Sequence, residues 1–373
     1  MATDFRGLLE TLFVRKASDL HLRAGAPPVL RVNGELFGTQ SEKLTSQEVE
    51  NFLREVLTPT QLDTFIREKE LDLALTVPGY GRTRANLYFQ KGSPAVALRA
   101  IKTEIPSFEE LTLPRVLEKI AALRRGLVLV TGVTGCGKST TLAAIVEQIN
   151  KSRSTNVLCI EDPIEYIFVN KKSLIAQREV MIDTTSFYSA LIHALREDPD
   201  VIMVGEIRDP DTVLVALQAA ETGHLVLTTL HTLNAVEAIN RLIAFFPLSE
   251  QAQVRTMLAG TLQAIVSQRL VPRCDMPGRV PVVEILMTTA AVRDCLVDMD
   301  KISLIGGLVE DDRGTHGMQS FDQSILGLYR QGKISLETAM ETATNPNDLE
   351  LALKGIKTSG SRLAEHETAE MSR

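Results

Sequence analysis

A chain of 373 residues, 44% hydrophobic and 23% charged, has room for two or three domains and enough apolar side chains to give each a core. Its net charge of −7 argues against a protein whose main work is gripping nucleic acid or anionic lipid over a broad surface. The four cysteines, at 136, 159, 274 and 295, form no C-x-x-C pair, so neither a zinc module nor a disulfide framework is indicated and reduced thiols are expected.

The N-terminal MATDFRGLLE carries acids early and has no apolar signal core. No apolar run approaches the roughly 18 residues of a membrane span, so direct membrane insertion is not expected. Residues 1–104 predict a small α+β domain. Leu20 to Leu36 alternates and contains Asn33-Gly34, a pair suited to a hairpin turn because both residues tolerate positive φ. Thr45 and Glu48 form a capping-box pattern ahead of Val49, Phe52, Leu53, Val56 and Leu57, which share one helical face. Strands follow in LDLALTV, RTRANLYFQ and PAVALRAI, separated by Gly79-Tyr80-Gly81 and Lys91-Gly92-Ser93. The stretch 105–114 (IPSFEELTLP) holds two prolines and no period, and is the expected linker.

From about residue 115 the pattern changes. Apolar runs (LVLVTG, NVLCIE, VIMVGE, LVLTTLH) alternate with helical stretches, which predicts an α/β domain with a mostly parallel sheet covered on both faces. This core is expected over 115–290, with VPVVEILM as a further edge strand. A helical C-terminal region is expected over 291–356 and a fraying tail, rich in Ser, Thr and Glu, over 357–373.

The strongest chemical signal is the G-x-x-x-x-G-K-S match running from Gly132 through Val133, Thr134, Gly135, Cys136, Gly137 and Lys138 to Ser139, with Thr140 next. It follows the strand LVLVT and opens the helix STTLAAIVEQI. Such glycines let successive backbone N–H groups turn inward around phosphate oxygens, and the helix N-terminus adds its positive dipole end. Lys138 is expected to reach the β- and γ-phosphates of ATP, and Ser139 to offer its hydroxyl to Mg²⁺.

Two further strands end in acids: NVLCI runs into Glu161, Asp162 and Glu165, and VIMV into Gly205-Glu206. Ligands of open α/β sheets gather at the carboxyl ends of strands, where carboxylates can hold the water shell of Mg²⁺ or polarise an attacking water. Glu206 is the acid best placed for the second task, whereas Asp198 and Asp200 precede their strand and belong to its other end. Acids after strands also serve as helix caps and solvated loop residues. His224 and His231 bracket LVLTTL, which puts His231 at a carboxyl end; either histidine could equally be structural. Arg84 and Arg99 alternate along strands of the first domain, where an arginine either solubilises a face or is supplied to a neighbour's phosphate.

Together these pieces resemble the secretion-type ATPases of the PilT/PilU branch, the type IV pilus retraction ATPase family. ASDLHL (17–22) with PPVLRVNGEL resembles that family's PAS-like N-terminal domain. GVTGCGKST is similar to its Walker A, IEDPIEY to its Asp box, LREDPDVIMVGEIRD to its atypical Walker B and TGHLVLTTLHT to its His box. GMQSFDQSILGLYRQGKIS and NRLIAFFP lean toward PilU, and KISLIGGLVEDD (301–312) stands where the family's AIRNLIRE-type stretch is expected, without preserving it.

The resemblance implies a PAS-like domain followed by a RecA-like P-loop ATPase core, a homohexamer with ATP at its subunit interfaces, and a cytoplasmic ring docked on an inner-membrane pilus platform protein, with a paralogous retraction ATPase as a further partner. It makes Glu206 the general base, Glu161 a Mg²⁺ or water-network residue, His224 and His231 catalytic-site residues, and Arg84 and Arg99 interdomain arginine fingers. It implies twitching motility driven by pilus retraction. Two other functions remain open: an accessory ring component that supports another motor, and a RecA-like nucleic-acid motor, which the acidic balance disfavours.

Overall fold

The computed structural model describes residues 4–32, 34–312 and 314–354. Asn33 of the expected turn and the tail expected to fray lie outside the described residues. The chain divides into two compact units, Met1–Glu104 with Glu165–Ile167, and Ile105–Ile164 with Phe168–Arg373.

The first unit contains α1 (Phe5–Val14), β1 (Asp19–Arg23), β2 (Val29–Val32), β3 (Glu35–Gly38), α2 (Ser46–Val56), α3 (Pro59–Glu68), β4 (Glu70–Val77), β5 (Gly81–Gln90) and β6 (Ser93–Ala100). Its strands form an antiparallel sheet in the order β3-β2-β1-β6-β5-β4. Alternation explains the sheet: Leu20, Leu22, Leu87 and Leu98 face a core shared with Phe52, Leu53 and Phe65, and the residues between them face outward. Burying each such side chain contributes on the order of 1.5–3 kcal/mol. The alternating stretch from Leu20 to Leu36 covers two hairpins, because Gly25 and the prolines at 27 and 28 break it before β2. Thr45 and Glu48 form the capping box of α2, and Thr58 with Gln61 forms another on α3.

The second unit contains α4 (Val116–Ala121), β7 (Gly126–Thr131), α5 (Lys138–Ser152), β8 (Asn156–Glu161), β9 (Leu174–Glu179), α6 (Phe187–Ala194), β10 (Val201–Val204), α7 (Pro210–Glu221), β11 (Leu225–Leu230), α8 (Ala235–Ala244), α9 (Leu248–Thr261), β12 (Leu262–Pro272), β13 (Arg279–Met287), α10 (Ala290–Val297), α11 (Ile305–Asp311), α12 (Phe321–Arg330), α13 (Leu336–Thr342) and α14 (Pro346–Leu353). A 3-10 helix, Met299–Leu304, joins α10 to α11.

The second sheet runs β13-β12-β7-β11-β10-β8-β9, parallel throughout except for the edge strand β13. Every residue of β7, β10 and β11 is buried, which is what continuous apolar runs predict for strands covered on both faces. Two of its strands are not signalled by the sequence. β9 is short and partly polar, and β12 follows α9 with no intervening residue, so no glycine or proline marks the switch from helix to strand. In the segment 105–114, Phe108 and Leu113 are buried, and Lys333 donates to the Thr112 hydroxyl at 3.3 Å.

Candidate nucleotide site

The phosphate-binding loop leaves β7 at Thr131 and enters α5 at Lys138. Two of its glycines are required by geometry. Gly132 has φ +142°, and a Cβ there would lie 2.4 Å from the Gln268 carbonyl oxygen and 2.5 Å from Cys136 Sγ; Gly137 caps α5 with φ +93°. Thr134 and Gly135 are exposed on the crown of the loop, and Ser139 is exposed on the first turn of α5 with Thr140 beside it. The Lys138 ammonium donates to the carbonyls of Gly132 at 2.9 Å and Val133 at 3.1 Å, which centres a buried positive charge in the loop. Burial pushes the Cys136 thiol up, against the opposing pull of Lys138. Its side chain packs inward, so the cysteine fills the loop from behind.

Sequence reasoning missed the residue that braces this loop. Gln268, in β12 and 1% exposed, donates from Nε2 to the Cys136 carbonyl at 2.6 Å and accepts from the Thr141 hydroxyl at 2.9 Å. One amide therefore holds both the loop and the first turn of α5. The available signal was a polar Ser267-Gln268 pair inside the apolar run AIVSQRLV.

At the same end of the sheet, Gly205 follows β10 and is held from both sides. Its N–H donates to the Ile160 carbonyl at 2.8 Å, and its carbonyl accepts from the Thr229 hydroxyl at 2.6 Å. Glu206 comes next. Its Oε1 pairs with Arg208, and its Oε2 lies 3.5 Å from His231 Nε2. Glu206 and His231, each expected at a carboxyl strand end, are thus brought together, and Arg208 joins them unforeseen. The hydrogen bond to Glu206 holds Arg208 more firmly protonated, with Asp162 adding to the attraction. Glu161, the last residue of β8, is buried, and its Oε1 accepts from Gln177 Nε2 at 2.8 Å; Gln177 on β9 is the second residue the sequence reading missed. Asp200 lies at the amino end of β10 as expected, where it accepts from the Asn156 N–H at 2.8 Å.

His224 is placed apart from His231. It precedes β11, at the end of that strand opposite His231, and six residues of strand separate them, about 20 Å of rise. Its Nδ1 lies 2.9 Å from the Ala219 carbonyl and 3.2 Å from the Thr222 hydroxyl, partners that close the end of α7. Within the chain His224 is a helix-terminus residue and does not join Glu206. Glu165 is exposed and belongs to the segment grouped with the first unit.

Arg84 and Arg99 face each other across β5 and β6 on the outer side of the first sheet. Like charges in that register repel, and Asp19, opposite Arg99 on β1, relieves it: Arg99 Nε donates to Asp19 Oδ1 at 2.8 Å. Burial raises the Asp19 carboxyl, but hydrogen bonds from Ser18 and Arg99 outweigh it and hold the group below the usual aspartate range.

An open α/β sheet with a Walker A loop beside strand-terminal acids defines a P-loop nucleotide-binding protein. The type II/IV secretion system protein family model matches residues 80–323. The chain is 41% identical to the type IV pilus ATPase PilU of Pseudomonas aeruginosa, covering 94% of this chain and 91% of that protein. It is 41% identical to the type IV pilus retraction ATPase PilT of the same organism, covering 92% and 99%. A crystal structure of the pilus retraction motor PilT with bound ADP superposes with a TM-score of 0.85 at 42% identity, over 93% of this chain and 99% of that one. The chain belongs to the type II/IV secretion system protein family, in its type IV pilus retraction ATPase branch, and is an ATPase.

The lean toward PilU expected from the sequence is not visible in these identities, which are equal. The AIRNLIRE comparison also shifts. Residue by residue, AVRDCLVD (291–298) follows that pattern more closely than 301–312, with Ala291 and Arg293 identical and Asp298 in place of the final glutamate. It occupies α10 and its C-cap, whereas 301–312 spans the 3-10 helix and α11.

Proposed function

We propose that this protein is a homohexameric motor that hydrolyses Mg-ATP to drive type IV pilus retraction, as a ring at the cytoplasmic face of an inner-membrane platform protein. One observation carries the catalytic part: a complete Walker A loop and the Glu206–His231 pair lie at the same end of one sheet. The retraction part rests on what the relatives are named for. Among the described residues no helix is long and apolar enough to cross a membrane, so attachment would come through a partner.

In this reading 1–104 is a PAS-like domain and 115–290 a RecA-like core, joined through 105–114 and followed by the helical region 291–356. Bound Mg-ATP supplies the γ-phosphoryl group and a divalent charge on its oxygens. Residues fit it: the loop's N–H groups and Lys138 would meet the phosphates, Ser139 would meet the metal, and Glu161 would order its water shell. Glu206 accepts a proton from the attacking water at Oε2, the carboxylate oxygen that Arg208 does not hold. His231 orients Glu206 and reports on the terminal phosphate. Arg84 and Arg99 would be offered to a neighbouring subunit's nucleotide, and a switch of domains would pass around the ring.

The test is steady-state ATP hydrolysis by the purified protein, with its mass in solution, beside Glu206→Ala. A hexamer that turns over ATP in a Mg²⁺-dependent way, with a mutant that binds ATP and does not cleave it, is expected. An accessory role beside a paralogous motor is the second reading, since PilU and PilT are matched at equal identity. Deleting the gene in a strain that keeps its main motor separates the two, since unimpaired pilus withdrawal would overturn the motor reading.

A further inference from the structure

Behind the nucleotide site lies a polar row that the chemistry above does not use. Thr131, Ser267 and Glu284 sit side by side on β7, β12 and β13, paired in register across the three strands. The Thr131 hydroxyl donates to Ser267 Oγ at 3.0 Å, and Ser267, paired with Glu284 across β12 and β13, favours the charged form of the Glu284 carboxyl. Glu284 Oε1 accepts from the backbone N–H of Ala235, the first residue of α8, at 2.8 Å. Thr131 and Ser267 are fully buried.

The two ends of this row identify its purpose. Thr131 immediately precedes Gly132 of the phosphate loop, and Ala235 ends the turn that begins at His231. The turn's other bonds are local: Asn234 Oδ1 caps α8 by accepting from the Glu237 N–H, and the Glu237 carboxylate accepts from the Leu233 N–H. The helix therefore has its cap without Glu284. What Glu284 adds is a tether from a different strand that fixes the His231 turn to the floor of the loop. Burial pushes the Glu284 carboxyl up, against its hydrogen bonds from Ala235 and Ser267 and the charge of Arg269. An isosteric apolar residue would carry no such cost, so placing a half-buried carboxylate here needs a return.

We propose that Glu284 is a positioning residue of the ATPase reaction, which holds the His231 turn in register with the phosphate loop and so keeps His231 against Glu206. The inference rests on reading Glu206 and His231 as the catalytic pair. Displacing a catalytic group by about an ångström costs up to two orders of magnitude in rate without weakening ground-state binding. Loss of Glu284 accordingly acts on kcat and spares the KM for ATP. Glutamine keeps an acceptor for Ala235 and can donate to Ser267, so Glu284→Gln restores most of the rate.

The experiment is a double-mutant cycle on the full-length protein, with kcat and KM for ATP measured for Glu284→Ala, Glu284→Gln, His231→Ala and the pair Glu284→Ala/His231→Ala. Expected is a kcat loss on the order of tenfold for Glu284→Ala with KM changed by less than about twofold, and recovery in Glu284→Gln. In the His231→Ala background, adding Glu284→Ala should cost less than about twofold more. If Glu284→Ala does not fold, Ser267→Ala, which cuts the tether to Thr131 and leaves the Ala235 bond, is expected to lower kcat alone and to lose that effect beside His231→Ala. Equal losses in both backgrounds, or kcat and KM failing together, overturn the proposal. Hydrolysis undiminished in both His231→Ala and Glu206→Ala would instead remove the catalytic pair on which it rests.

Discussion

In β5 of the first unit, buried Thr83, Ala85 and Leu87 alternate with exposed Arg84 and Asn86, whereas in β7 of the second unit every residue is buried. The alternating strand has a free face, so its polar residues are spread along its length and can meet a partner anywhere on it. The central strands β7, β10 and β11 have none, and Gly132, Glu161, Glu206 and His231 all fall at strand ends. A face tolerates substitution residue by residue; a strand end, where a few groups converge, does not.

That difference can be broken most directly at Glu206. Glu206→Ala should lower kcat by about a thousandfold while ATP binding, followed by equilibrium titration, stays within a few-fold of wild type. A mutant still turning over at a tenth of the wild-type rate would show that the strand-end acids do not carry the chemistry.

The two histidines sharpen the comparison within one strand. His231→Ala should slow hydrolysis on the order of tenfold to a hundredfold, and His224→Ala should leave the rate within about threefold and lower the melting temperature instead. Equal rate losses would mean that both ends of β11 serve catalysis.

Gln268→Leu tests the brace beneath the loop. It strands the Cys136 carbonyl and the Thr141 hydroxyl, at a cost of about 1–3 kcal/mol in urea unfolding, and it should weaken nucleotide binding more than it slows turnover.

The smallest effect is expected on the exposed face of the first sheet. Asp19 has a folded-state pKa below its unfolded value, so its contribution to stability is present above about pH 4 and is lost as pH falls through the lowered value. Asp19→Asn should flatten that acid limb in unfolding curves taken from pH 6 to 2, and should leave Arg84 and Arg99 opposed with no carboxylate beside them.

Local pattern made much of this legible. The Thr45–Glu48 cap, the strands either side of Gly79-Tyr80-Gly81, and the strand–loop–helix around Lys138 depend on neighbours in sequence, and each is where its residues put it. Glu206 and His231 were legible as strand-end residues because a parallel sheet has one carboxyl end, and strand direction alone assigns them to it. The same rule assigns His224 to the opposite end of β11 from His231.

The sequence by itself determined which segments alternate, which are continuously apolar, and which loop has the glycines and lysine for phosphate. Only the tertiary structure decided that β12 lies beside β7, and with it that Ser267 and Gln268, over a hundred residues along the chain, sit under Thr131 and Cys136. The physical reason is that periodicity reports which face of a strand is buried, while strand order and register arise from packing between strands that share no local signal.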